Sequence, residues 1–72
     1  MNKPLTPKQL KIYRIIIEFI DKKGYSPTLR EIAHLANLKS PATIQSHLNN
    51  LLDKGYITFE PYKNRTIRIK EK

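Results

Sequence analysis

A chain of 72 residues has room for one domain and one modest core, since it buries only about 60% of the surface its unfolded form exposes. It contains no cysteine, which excludes disulfides and thiolate metal clusters and fits a reducing, cytoplasmic setting; its two histidines, His34 and His47, are too few for a metal cage. Fourteen Lys and Arg against six Asp and Glu give a net charge of +8, a balance that favours a polyanionic partner and that solubility alone would also explain.

The first predicted helix begins at Thr6-Pro7-Lys8-Gln9. Thr6 and Gln9 have the spacing of a capping box, Pro7 suits the first helical position, and Leu5 and Leu10 are placed for a hydrophobic staple. The helix is expected to run to about Lys23 and stop at Gly24, which tolerates a left-handed conformation. The apolar run Ile12–Ile20 is interrupted by Arg14 and Glu18, which excludes a signal peptide and a membrane span. With successive residues about 100° apart, Leu10, Ile12, Tyr13, Ile15, Ile16, Ile17, Phe19 and Ile20 fill an arc of roughly 220°. So wide an arc predicts burial on two sides, against other helices and a small sheet, or else a dimer contact.

A second capping box, Thr28-Leu29-Arg30-Glu31, follows Pro27 and opens a short helix with Leu29, Ile32, Ala33 and Ala36 turned inward. It ends at Asn37-Leu38-Lys39, where Asn37 serves the turn. Ser40 and Pro41 restart the chain as N-cap and first residue of a third helix that runs to about Lys54, with Gly55 closing it. A short helix, a three-residue turn and a second capped helix make a helix-turn-helix. Beyond it, Tyr56–Glu60 and Thr66–Lys70 read as strands joined by a turn over Pro61–Arg65, with Ile67 and Ile69 facing the core and Thr66, Arg68 and Lys70 facing water. The fold class is therefore mainly α with a small antiparallel β-hairpin: one winged helix-turn-helix domain over residues 1–72, three helices plus a wing.

The chemistry lies on the third helix. Ile44, Leu48, Leu51 and Leu52 point inward, and Ala42, Thr43, Gln45, Ser46, Asn49 and Asn50 form the outer face. A solvated helix face usually carries Lys–Glu pairs; this one is neutral, short and rich in amides and hydroxyls. Gln and Asn can pair bidentately with adenine, Thr and Ser can donate or accept, and small residues meet the thymine methyl. The base-reading candidates are Ala42, Thr43, Gln45, Ser46 and Asn49, with an inert polar surface as the alternative. The amide end of the helix at Ser40–Thr43 favours a phosphate. Arg30, Lys39, Lys54, Lys63 and Arg65 flank the face and are, with Ser40, the candidates for DNA backbone contacts, which set register without reading sequence. Arg68 and Lys70 fit either a wing contact or protection of an edge strand. Tyr62 in the wing turn is a further backbone candidate, whereas Lys3, Lys8, Lys11 and Arg14 read as solvated charge and His47 as a packed histidine. No Ser/His/Asp set, phosphate-cradling glycine loop or paired carboxylate appears, so the reading is a binding protein without cofactor or metal, not an enzyme.

Several separated motifs then coincide. Leu5-Thr6 with Gln9, Gly24-Tyr25-Ser26-Pro27-Thr28, Arg30-Glu31-Ile32-Ala33, Ser40-Pro41, His47-Leu48 and Lys54-Gly55 resemble the N-terminal DNA-binding domain of LexA-type repressors of the SOS response, from Leu5 to about Lys70. The resemblance implies a winged fold and repression by binding a palindromic operator. It implies base contacts from Ala42, Thr43, Gln45 and Ser46 and backbone contacts from Ser40 and Lys54. Some members of that family carry acidic or histidine residues at the positions of Gln45 and Ser46 and basic ones near Asp53, so no operator sequence carries over. LexA repressors also continue into a self-cleaving Ser-Lys domain that dimerises them. The chain ends at Lys72, which fits either an excised domain or a freestanding LexA-like regulator of phage or mobile-element type. The partner expected is double-stranded DNA, not a membrane, with the protein monomeric alone and paired on a palindrome. A protein-interaction module using the same helix face is the alternative.

Overall fold

Both capping boxes read from the sequence form. The Thr6 hydroxyl accepts from the Gln9 N–H while the Gln9 side chain accepts from the Thr6 N–H, each at 3.2 Å, and Thr28 and Glu31 repeat the arrangement at 3.1 and 2.8 Å. These caps open α1 (Pro7–Lys23) and α2 (Leu29–Leu35). A third helix, α3 (Pro41–Asp53), and an antiparallel sheet of β1 (Ile57–Thr58) and β2 (Arg68–Ile69) complete the elements. The computed structural model describes residues 4–60 and 63–70. Pro61 and Tyr62, expected in the wing turn, lie outside the described residues, as does Lys3. Among the described residues no helix is long and apolar enough to cross a membrane.

Helix ends follow their local signals. Gly24 takes φ 79° at the end of α1. Asn37 takes φ 56° after α2, where the Asn37 N–H donates to the His34 carbonyl and the Leu38 N–H to the Ala33 carbonyl. This paired closure of a helix end around a left-handed residue sets the angle at which the chain leaves α2. Gly55 does the same for α3 at φ 85°, with Tyr56 N–H donating to the Leu51 carbonyl at 2.9 Å. The turn of the helix-turn-helix thus rests on an Asn, which enters left-handed space more readily than most side chains.

The core joins Ile12 and Ile16 of α1, Ile32, Ala33 and Ala36 of the second helical segment, Ile44, Leu48 and Leu51 of α3, and Ile57 and Ile67 of the wing. α1 packs on α2 and α3, and the sheet packs chiefly on α3. Four expectations are corrected here. The wide arc of α1 is not buried throughout: Leu10 is 40% exposed and Ile17 39%, while the sheet packs chiefly on α3. Leu52, expected inward, is 40% exposed. The strands are shorter than the predicted Tyr56–Glu60 and Thr66–Lys70. The Thr66 hydroxyl, expected in water, accepts from the Glu60 N–H at 2.9 Å and so takes the place of a backbone ladder bond. Pairing is confined to Ile57 with Ile69 and Thr58 with Arg68.

Candidate nucleic-acid interface

Thirteen residues give α3 a length of about 20 Å at 1.5 Å per residue. Its buried stripe of Ile44, Leu48 and Leu51 turns the opposite face outward. Ala42, Thr43, Ser46, Asn49 and Asn50 are exposed and Gln45 is half-buried. The Gln45 Nε2 donates to Asn49 Oδ1 at 3.2 Å, so the two amides one turn apart orient each other. Both line a groove of about 410 Å³ between α3 and the wing, with Leu52, Phe59 and Asn64 on its other walls. The outer face of α3 and the wing therefore border one opening.

Ser40 occupies the N-cap position with extended backbone, φ −105° and ψ 113°, but its hydroxyl makes no cap bond. The expectation of a side-chain cap from Ser40 is corrected. No Glu or Gln stands three residues on to complete a capping box, and Pro41 contributes no N–H. The N–H of Thr43 is thereby left without the side-chain acceptor that Gln9 and Glu31 have at the equivalent position of α1 and α2. A helix start of that kind, with its dipole, suits an anion. Next to it, Arg30, Pro41 and Asn64 border a concavity of about 420 Å³, which places the wing tip beside the start of both helices of the motif.

The flanking cations divide into two groups. Arg30 and Lys39 are exposed, and Lys63 is exposed with its amine 3.6 Å from Glu60. Lys54 and Arg65, the other two candidates for phosphate contacts, have donors bonded within the fold. The Lys54 Nζ donates to Gln9 Oε1 at 2.6 Å and to the Pro4 carbonyl at 3.1 Å, tying the end of α3 to the start of α1. Arg65, in a left-handed turn conformation at φ 58°, lays its exposed guanidinium across the segment that opens α2. Nη1 donates to Glu31 Oε1 at 2.9 Å and to the Ser26 carbonyl at 3.0 Å, and Nη2 to Glu31 Oε2 at 3.2 Å. Its central carbon lies 4.7 Å above the ring of Tyr25, which in turn meets Phe19 edge to face at 5.6 Å. Lys11, read as solvated, places its amine 3.5 Å from the Ala36 carbonyl at the end of α2.

The Arg65 cluster escaped sequence reasoning. Glu31 was legible only as half of a capping box, and nothing in local spacing pairs it with a residue 34 positions away. The Thr28 N–H cap bond, and after it the Arg65 guanidinium, hold the Glu31 carboxyl below its ordinary value of 4.5. Ser26, read only as extended before Pro27, is buried, and its hydroxyl accepts the Ile67 N–H at 3.0 Å. Among the described residues no group of His, Cys, Asp and Glu is placed to hold a metal ion.

The chain is similar to known proteins over nearly its whole length. The family model of the LexA DNA-binding domain matches residues 2–66. The LexA repressor of Lactiplantibacillus plantarum is 41% identical over 69 residues, covering 96% of this chain and 33% of the relative. That of Caldicellulosiruptor saccharolyticus is 46% identical over 69 residues, 96% of this chain and 34% of the relative. That of Clostridium perfringens is 45% identical over 64 residues, 89% of this chain and 32% of the relative. The chain spans about a third of the length of these curated relatives.

Proposed function

The chain belongs to the LexA DNA-binding domain family, and from that premise we propose that it represses transcription by seating α3 in the major groove of a palindromic operator. The observation that carries the proposal is the outer face of α3: neutral, built of small, hydroxyl and amide side chains, and flanked by exposed cations instead of covered by them. A protein that coated nucleic acid through charge alone would not need that face. Ala42, Thr43, Gln45, Ser46 and Asn49 read bases. Arg30, Lys39 and Lys63 meet phosphates, with the N–H groups that follow Ser40 holding another. Lys54 and Arg65 support the interface through their bonds to the rest of the fold. That the similar proteins are LexA repressors supports the same reading.

Selection from a random duplex library, followed by competition binding, tests the proposal. The expected outcome is enrichment of a defined half-site that outcompetes mixed-sequence DNA; no enrichment would refute base reading and favour a docking surface for protein. The assembly proposed is a monomer in free solution that loads in pairs on a palindrome. One winged module buries on the order of 600–1,000 Å² on DNA, and joining two can raise avidity by about 10²–10⁴. Analytical ultracentrifugation without DNA checks this. A stable dimer at micromolar concentration would contradict it and point to Ile15 and Phe19 of α1 as the contact.

A further inference from the structure

We infer that Arg65 is a positioning residue for DNA binding: clamped by Glu31, the Ser26 carbonyl and the Tyr25 ring, it locks the wing against the start of α2 and so aims Lys63 and Asn64 at the DNA. The inference rests on the proposed wing contact with phosphate. Three features of the fold lead to it. First, among the described residues the bonds within the wing tip itself run only between Glu60, Lys63 and Thr66, and none of these ties it to a helix. Its sheet pairs only two residues per strand, and a two-stranded ribbon is marginal by itself. Second, every strong contact of the clamp runs to one place, the segment Tyr25–Glu31. The guanidinium takes both oxygens of Glu31 and the Ser26 carbonyl, lies over Tyr25, and is joined two residues on by the Ile67 N–H to the Ser26 hydroxyl. A planar fork bound at two oxygens and stacked on a ring fixes direction as well as distance. Third, what the clamp fixes is the approach to the groove. Asn64, next to Arg65, borders the concavity shared with Arg30 and Pro41, and Lys63 precedes it. α2 is itself seated on α3, so the clamp sets the wing in the same frame as the base-reading face.

Glu31→Gln separates the clamp from the helix cap. Glutamine satisfies a capping box as well as glutamate does, so α2 keeps its start while the wing loses its charged, two-oxygen partner. Arg65→Lys keeps the charge and loses the fork. Binding is measured on the duplex recovered by the selection above, as the slope of log K against log salt, for Lys63→Ala in four backgrounds: wild type, Glu31→Gln, Arg65→Lys and Arg65→Ala. In wild type, Lys63→Ala is expected to flatten the slope by about one unit, the value of one phosphate contact. In the other three backgrounds it is expected to change the slope by less than about half a unit, because the wing is no longer aimed. In the free protein, the ¹H–¹⁵N NOE values of Asn64, Arg65 and Thr66 are expected to fall in all three variants.

A full unit lost to Lys63→Ala in every background would overturn the inference, since the wing would then be placed without the clamp. So would an Arg65→Ala loss that simply adds to that of Lys63→Ala while the NOE values hold, which would make Arg65 a phosphate contact. Full recovery in Arg65→Lys would also overturn it, leaving charge alone as the cause. Failure of the wing contact itself has a separate signature: Lys63→Ala leaves the wild-type slope unchanged. The measurement without DNA then decides the clamp, standing if the NOE values fall and overturned if they do not.

Discussion

Gln45 and Asn49 show how little a surface amide pair must move to become a reader. Each is already held by the other at 3.2 Å, so a base edge would replace one partner with another and little rotamer freedom would be lost on binding. Gln45→Ala is expected to weaken binding to the selected site by about 1–3 kcal/mol and to mixed-sequence duplex much less, because a bidentate amide contact discriminates between bases. Fluorescence anisotropy on both duplexes checks this, and equal losses would reduce Gln45 to a support for the helix. Glu31 offers a second test at this scale. Its carboxyl is held below 4.5 first by the Thr28 N–H and then by Arg65. A group whose folded value is depressed stabilises the protein above its unfolded value, and that stability is lost as pH falls through the folded value. The stability gap between wild type and Glu31→Gln should therefore be full at neutral pH and close below pH 4.5, as read by urea denaturation along a pH series.

At the scale of elements, α2 is the piece most dependent on its termini. Seven residues are far too few to form a helix alone, so its box at one end and its left-handed Asn37 at the other set its bounds. Thr28→Ala is expected to cost about 1 kcal/mol of global stability, measurable as a lowered urea midpoint, and an unchanged midpoint would show that packing alone holds α2. The same feature explains what could be read from the chain beforehand. The starts of α1 and α2, the Asn37 turn and the ends at Gly24 and Gly55 all depend on residues a few positions apart, and all were legible. The buried stripe of Ile44, Leu48 and Leu51 followed from helical period. Leu52 did not, since its exposure depends on how far a short wing reaches over α3. The partners of Lys54 and Arg65 lie 45 and 34 residues away. Charge pattern marks such residues as cationic, but only the folded chain shows that their donors are already engaged. Trimming of the strands by the Thr66 hydroxyl was equally hidden, because period-two alternation says nothing about which atom completes the ladder.

For the molecule as a whole, the division of cations has a measurable consequence. The net charge of +8 steers the chain toward any polyanion, yet the salt dependence of binding counts only the phosphates neutralised at the interface. With Arg30, Lys39 and Lys63 as the charged contacts, log K should fall against log salt with a slope of roughly −2.7 per protein, at about −0.9 for each contact. Had Lys54 and Arg65 been free, the same arithmetic would give roughly −4.5. A titration from low to moderate salt separates the two, and the steeper slope would show that both cations leave their internal partners when DNA binds.

The two faces of α3 also bear on how such a protein changes over generations. Ile44, Leu48 and Leu51, which hold the fold, share no position with Ala42, Thr43, Ser46 and Asn50, which are exposed. Exposed substitutions away from caps and networks usually shift stability by no more than about 0.5 kcal/mol. A lineage can therefore rewrite the outward letters of this helix almost without penalty to folding, and sample new operators while the scaffold is inherited intact. Gln45 and Asn49 are the exception. Their mutual bond couples one position to the other, so a change at either alters the choices open to its neighbour, and new specificities should arise at that pair by coordinated double steps more often than by single ones.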